Sequence, residues 1–124
     1  MSNFIDLIDR YIAIWNETNV ERRRDLIAQT WTETATYVDP LIQAEGHAGI
    51  NEMIQAVQER FPGYRFRRTS NVDAHNDRVR FKWELAPEDG LPALAGGVDF
   101  GVIVGGRLQA ITGFLDFAPK PADQ

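Results

Sequence analysis

Two carboxyl groups stand where apolar residues would be expected. Asp99 interrupts a strand-like run of Val, Phe, Ile and Gly, where a charge is costly unless it is paired or neutralised. An apolar setting disfavours the ionised form, so Asp99 is expected to have a raised pKa and to donate a hydrogen bond near neutral pH. Its neighbours on the same face are Gly97 and Gly101, which leave room beside the carboxyl of the kind a ligand cavity needs. Asp39 ends the run Ala35-Thr36-Tyr37-Val38-Asp39-Pro40 and alternates onto the face of Tyr37. A carboxyl at a strand end suits proton transfer, yet Asp before Pro is also a common turn start that caps local backbone. Asp99 likewise has a structural use, bonded to a threonine or salt-bridged across a dimer. Tyr11 and Trp15, one helical turn apart, either line the same cavity or serve as core aromatics.

Few other chemistries are open to the chain. It has no cysteine, which removes disulfides, thiol catalysis and cysteine-held zinc or iron–sulfur sites. His47 and His75 are isolated, with no His or acidic partner at a spacing suited to a metal, so no metal is expected. There is no glycine-rich phosphate loop, nucleophile elbow or Ser/His/Asp order, and nucleotide or other cofactors are not expected. The balance of 18 acidic to 13 basic residues gives a net charge of −5, a poor field for gripping phosphates. Arg22-Arg23-Arg24 and Arg65-Arg67-Arg68 read as solvated faces, and no nucleic-acid partner is expected. No apolar run approaches the ~20 residues of a membrane span. The first residues, Asn3, Asp6 and Asp9 among them, lack the order of a signal peptide, so a cytoplasmic location without a membrane partner is expected.

The elements that must position the carboxyls follow from periodicity. The 124 residues, 44% hydrophobic and 25% charged, suit one globular domain over 1–118 with a flexible tail over 119–124. Phe4, Ile8, Tyr11 and Trp15 recur at spacings of four, three and four and predict a first helix with Tyr11 facing inward. Thr18 and Glu21 form a capping box that opens a second helix with the stripe Val20, Ile27 and Trp31. A short strand, Ala35 to Asp39, precedes a third helix whose stripe is Ile50, Met53, Ile54, Val57 and Phe61, stopped by Pro62-Gly63. From Tyr64 the period becomes two, giving antiparallel strands through Tyr64–Phe66 and Val79–Leu85 with a turn at Asn76-Asp77. Two more strands, Gly97–Val104 and Arg107–Phe117, join at Gly105-Gly106. A two-residue turn there sets Asp99 opposite Thr112, a bulged three-residue loop sets it opposite Ile111, and the two options invert its face. The expected fold is α+β, a cone-like arrangement of three N-terminal helices on a strongly curved antiparallel sheet with an internal pocket. Large apolar residues on both faces of the last two strands predict a homodimer built through the sheet.

Several short patterns carry a resemblance: Arg10-Tyr11-Ile12, Ala35 to Pro40, Gly46-His47-Ala48-Gly49-Ile50, Val98-Asp99-Phe100, and Gly106-Arg107-Leu108 leading to Thr112-Gly113-Phe114. In these and in element order the chain resembles the nuclear transport factor 2-like superfamily, in its SnoaL-like polyketide-cyclase and ketosteroid-isomerase branch. In ketosteroid isomerases the aspartate before that proline shuttles a proton, while a helix tyrosine and a strand aspartic acid stabilise the enolate oxygen. The resemblance thus implies Asp39 as base and Tyr11 and Asp99 as oxyanion donors. The longer Tyr11-to-Asp39 interval and the shorter glycine hairpin depart from the isomerases, and steroid specificity does not carry over. Epoxide hydrolases of the superfamily use an Asp-Arg-Asp arrangement, which glycine at position 97 disfavours.

Three readings follow. The first is an isomerase, cyclase or dehydratase working by cofactor-free proton transfer beside a carbonyl of a small hydrophobic substrate. Tyr11, Trp15, Tyr37, Asp39, Trp83 and Asp99 would then border one cavity, with Trp31 and Met53 packing behind it. The second is a non-catalytic pocket for a small hydrophobic ligand. The third is an association module using its sheet, for which a filled cavity would be the clue.

Overall fold

The computed structural model describes residues 4–90 and 92–119; the expected tail, 119–124, lies outside them beyond Pro119. Helix α1 (Phe4–Asn16) buries Leu7, Ile8, Tyr11, Ile14 and Trp15 along one stripe, as the spacing predicts. Helix α2 (Val20–Thr30) is capped by Asn19, whose side-chain oxygen accepts from the Arg22 backbone N–H at 2.9 Å. This corrects the Thr18–Glu21 capping box: Asn19 reaches the same orphan donors from one residue closer. Trp31, expected on the stripe of α2, instead opens strand β1 (Trp31–Val38) and is fully buried there. The alternating Thr32, Thr34, Thr36 and Val38 favour extended backbone and start the strand four residues before Ala35. A short strand β2 (Gln43–Glu45), not anticipated, leads into helix α3 (Gly46–Arg60), where Phe61 is the cap residue.

The arginine run on α2 divides. Arg22 and Arg24 are exposed as expected, but Arg23 is fully buried. Its guanidinium donates to Asn51 Oδ1 at 2.7 Å, Gln55 Oε1 at 2.5 Å, Gln58 Oε1 at 2.9 Å and the Glu17 carbonyl at 2.8 Å. A buried cation survives only when its donors are used, and three amides on one face of α3 supply the acceptors.

The rest of the chain is sheet. Strand β3 (Tyr64–Arg68) pairs with one half of β5 (Arg78–Pro87), and an unexpected β4 (Asp73–His75) pairs with the other half through a turn at Asn76-Asp77. Both turn residues have positive φ, 48° and 60°, the conformation a two-residue hairpin demands. Strands β6 (Ala95–Val104) and β7 (Arg107–Phe117) complete a seven-stranded sheet of order β2-β1-β7-β6-β5-β3, with β4 on β5. Every pair is antiparallel except β1 and β7, which run parallel, so the sheet is mixed rather than antiparallel. The meander β5-β6-β7 ends with β7 running along β1, a relation between distant segments that neither strand's own pattern contains. The helices pack on one face of this curved, unclosed sheet. No helix among the described residues is long and apolar enough to cross a membrane.

The Gly105-Gly106 turn holds two residues, with Val104 opposite Arg107. The register then slips: Ile103 pairs with Leu108 but Val102 with Ala110, leaving Gln109 as a bulge. Asp99 therefore faces Gly113, neither Thr112 nor Ile111. The room expected beside Asp99 is taken up by close packing. A side chain at Gly97 would collide with the Phe114 carbonyl, and one at Gly101 would meet Val79 Cγ2 at 2.9 Å and Ile111 Cδ1 at 3.0 Å. Gly97→Ala is accordingly expected to cost at least ~2 kcal/mol in urea denaturation, because backbone cannot yield as a flexible side chain does. An unchanged midpoint would show that the two strands separate there freely.

Candidate active site

Asp99 lies in the middle of β6 on the helix-covered face, 3% exposed. Two elements bring donors to it. Tyr11 of α1 donates its hydroxyl to Oδ2 at 2.7 Å, and Trp83 of β5 donates Nε1–H to Oδ1 at 3.0 Å. Burial lifts its pKa from 3.8 to about 7; the Tyr11 and Trp83 hydrogen bonds pull it down, and the charge of Asp39 pushes it up. The Tyr11 hydroxyl is held well above the ordinary phenol range, by burial first and then by Asp99, so it stays protonated as a donor. Because the Trp83 bond favours the ionised form, Trp83→Phe is expected to make Asp99 titrate about one pH unit higher, read by NMR of its carboxyl carbon. An unmoved titration would remove Trp83 from the network.

Asp39 sits just past β1, where Pro40 ends the ladder, and it does what a turn aspartate does. Its Oδ1 accepts the backbone N–H groups of Leu41 at 2.8 Å and Ile42 at 3.0 Å. Its Oδ2 accepts the Tyr37 hydroxyl at 2.6 Å, from two residues earlier on the same face. Burial, then Asp99 and then Asp39 raise the Tyr37 hydroxyl far above its ordinary value.

Sheet order brings the two carboxyls together. Parallel pairing of Val38 with Thr112 sets Asp39 beside Gly113 from one side, and antiparallel pairing sets Asp99 opposite Gly113 from the other. A Cβ at Gly113 would lie 2.8 Å from Asp99 Oδ1, 3.2 Å from Asp39 Cβ and 3.5 Å from the Tyr37 hydroxyl. Both acids thus face the same side of the sheet, across a gap that the absence of a side chain leaves. Gly113 is the residue that sequence reasoning did not single out for the site. Its signal was a glycine inside an apolar strand, which marks close approach.

Ring contacts join the remaining residues. Trp15 stands 6.4 Å from Tyr11, 5.6 Å from Tyr37 and 5.0 Å from Phe66, centroid to centroid, and Phe66 stands 5.7 Å from Trp83. Tyr11, Trp15, Tyr37, Asp39, Trp83 and Asp99 therefore form one connected cluster, joined by ring contacts and by the hydrogen bonds to the two carboxyls. Two open grooves lie elsewhere. One, of about 380 Å³, runs between α3 and the turn after Asp39, lined by Ile42, Gln43, Met53, Ala56, Val57 and Arg60. The other, of about 330 Å³, lies between α2 and α3 beside Ile27, His47 and Asn51. None of the six cluster residues lines either groove, while Met53, expected behind the cavity, lines the first. Among the described residues, no group of three or more His, Asp or Glu is arranged to hold a metal ion.

Comparison with known proteins bears on the family and the fold. The family model described as a SnoaL-like domain matches residues 8–111. A crystal structure of a proposed isomerase of the SnoaL-like family from Agrobacterium tumefaciens is 43% identical, with a TM-score of 0.88 over 94% of this chain and 100% of that one. A proposed ketosteroid isomerase from Kribbella flavida shares the fold at 20% identity, with a TM-score of 0.67 over 94% of this chain and 79% of that one. So does a proposed SnoaL-like polyketide cyclase from Jannaschia, at 18% identity and a TM-score of 0.66 over 89% of this chain and 85% of that one. Comparison with curated proteins found no match. Matched over most of its length by the family model and by a relative of such identity, the chain belongs to the SnoaL-like family and has the α+β, nuclear transport factor 2-like fold.

Proposed function

We propose that this protein catalyses cofactor-free proton transfer next to a carbonyl group of a small hydrophobic molecule. Asp39 takes the proton from carbon, and Tyr11 with protonated Asp99 donates hydrogen bonds to the oxygen that gains charge. The observation that carries this reading is the pair of carboxyls flanking Gly113, one in a partly solvated turn, the other buried with a pKa of about 7. Asp39 accepts three hydrogen bonds and offers none, which suits a carboxylate. Trp83 Nε1–H can only donate and keeps Oδ1 as acceptor, so the proton of neutral Asp99 belongs on Oδ2. In the resting site it is shared with the Tyr11 oxygen, and when a substrate carbonyl arrives this proton and the Tyr11 O–H both turn to the carbonyl oxygen. Return of the proton to another carbon gives isomerisation, and attack of the enolate on a second carbonyl gives cyclisation. The neighbouring structures named as an isomerase and a polyketide cyclase agree with this reaction class.

A second reading, a domain that associates through its sheet without catalysis, has an observation of its own. Tyr11 and Asp99 are 1% and 3% exposed, so a substrate reaches them only if neighbouring side chains move. The outer sheet face meanwhile exposes Phe100, Val104 and Phe114, the two phenylalanine rings packed edge to face at 5.8 Å. Pairing of this face with a second copy belongs to both readings. Phe114→Lys is expected to convert a dimer into a monomer at micromolar concentration in light scattering; a wild-type monomer removes the proposal.

Hydrogen–deuterium exchange at the acidic carbon of small enolisable ketones, followed by NMR in heavy water, tests the catalytic reading without knowledge of the product. Exchange above the buffer rate is expected. Ketones that bind without exchanging would leave only binding or association.

A further inference from the structure

The groove beside Asp39 has a chemistry of its own. Met53, Ala56, Val57 and Arg60 lie three, four and seven residues along α3 and form one stripe, from buried Met53 to exposed Arg60. Facing them are Ile42 and Gln43, from the turn that Asp39 closes: Ile42 N–H donates to Asp39 Oδ1 at 3.0 Å, and Asp39 N–H donates to the Ile42 carbonyl at 2.9 Å. The groove therefore borders the turn that Asp39 closes, with Asp39 itself outside its lining. Its walls are apolar except for a carboxamide, Gln43, and a guanidinium, Arg60, both hydrogen-bond donors. No acidic side chain lines it, although the chain carries 18 acidic residues against 13 basic. No ion pair engages Arg60 among the described residues, and its guanidinium carbon rests 5.7 Å from the Phe61 ring centre. A cation in the last turn of a helix also complements the helix carbonyls, so position alone does not assign Arg60 to a ligand. The acid-free apolar wall leading up to it does.

We infer that this groove takes the apolar body of a small carboxylate, with the anionic end on Arg60 and the other end against the Asp39 turn. Seven residues of helix span about 10 Å, which sets the length of the body. The groove, about 380 Å³, has the size of a small-molecule site. The inference rests on the proton-transfer reading for what happens to the ligand, and not for its binding.

The probes are 1-naphthaleneacetate and its neutral counterpart 2-(1-naphthyl)ethanol, titrated into the full chain and followed by amide NMR. The carboxylate is expected to bind about tenfold tighter, with shifts centred on Ile42, Met53 and Val57. Arg60→Gln should erase that factor while leaving the alcohol's affinity in place, and Arg60→Lys should keep most of it. Asp39→Asn should retain the preference; a retained preference without ketone exchange in the wild type would defeat the proton-transfer reading alone. Equal affinities in the wild type, a preference that survives Arg60→Gln, shifts confined to other surfaces, or no binding of either probe at millimolar concentration would each overturn the inference.

Discussion

Asp39→Asn is expected to slow α-proton exchange by about 10³-fold, the range a positioned general base contributes. The substitution is chosen because it changes charge and keeps shape. The asparagine oxygen can still accept from Leu41 and Ile42, and its NH2 group can donate to the Tyr37 oxygen, so the turn retains its hydrogen bonds. Ligand affinity and Tm should therefore stay close to wild type while the rate falls. This separates the two uses of the residue: a loss of Tm with rate in proportion would make Asp39 a turn residue only. Exchange at the wild-type rate in a folded variant would place the base elsewhere and end the paired-carboxylate mechanism.

The contribution of Asp99 to stability should fall as pH rises through the acid range, and Asp99→Asn should remove that fall. Asp99 holds its proton more tightly folded than unfolded, so its own contribution to folding is most favourable below about pH 4, where both states are protonated. Between about pH 4 and 7 the unfolded chain ionises while the folded one does not, and stability is lost progressively; above pH 7 the loss is complete. A displacement from 3.8 to about 7 corresponds to about 4 kcal/mol across this window. An asparagine at 99 has no proton to lose and remains satisfied, its oxygen accepting from Trp83 and its NH2 donating to the Tyr11 oxygen. The variant should thus gain on the wild type as pH increases, measured as the difference between their urea unfolding free energies from about pH 4.5 to 8. Using the difference cancels the titration of the other carboxylates. Parallel profiles would mean that Asp99 ionises in the folded protein as freely as in water, which the proposed donor role cannot accommodate.

The parts of this protein legible in its sequence are those decided by residues a few positions apart. The four-three-four spacing of Phe4, Ile8, Tyr11 and Trp15 describes α1, and the alternation from Val79 to Leu85 describes one strand, because side-chain direction repeats with the backbone. Gly105-Gly106 announces a two-residue turn for the same local reason. Asp99 was visible as a charge inside an apolar strand, and its raised pKa follows from that contradiction. What only the tertiary structure decided are relations between segments far apart in the chain. The Gln109 bulge replaced both registers that the turn suggested, and the parallel pairing of β1 with β7 put Asp39 at the same glycine as Asp99. Arg23 looked like its exposed neighbours until three amides of α3 gave its donors partners in the interior. Periodicity names the face a side chain takes, but which strand lies alongside, and in which register, depends on packing and hydrogen bonding summed over the whole sheet.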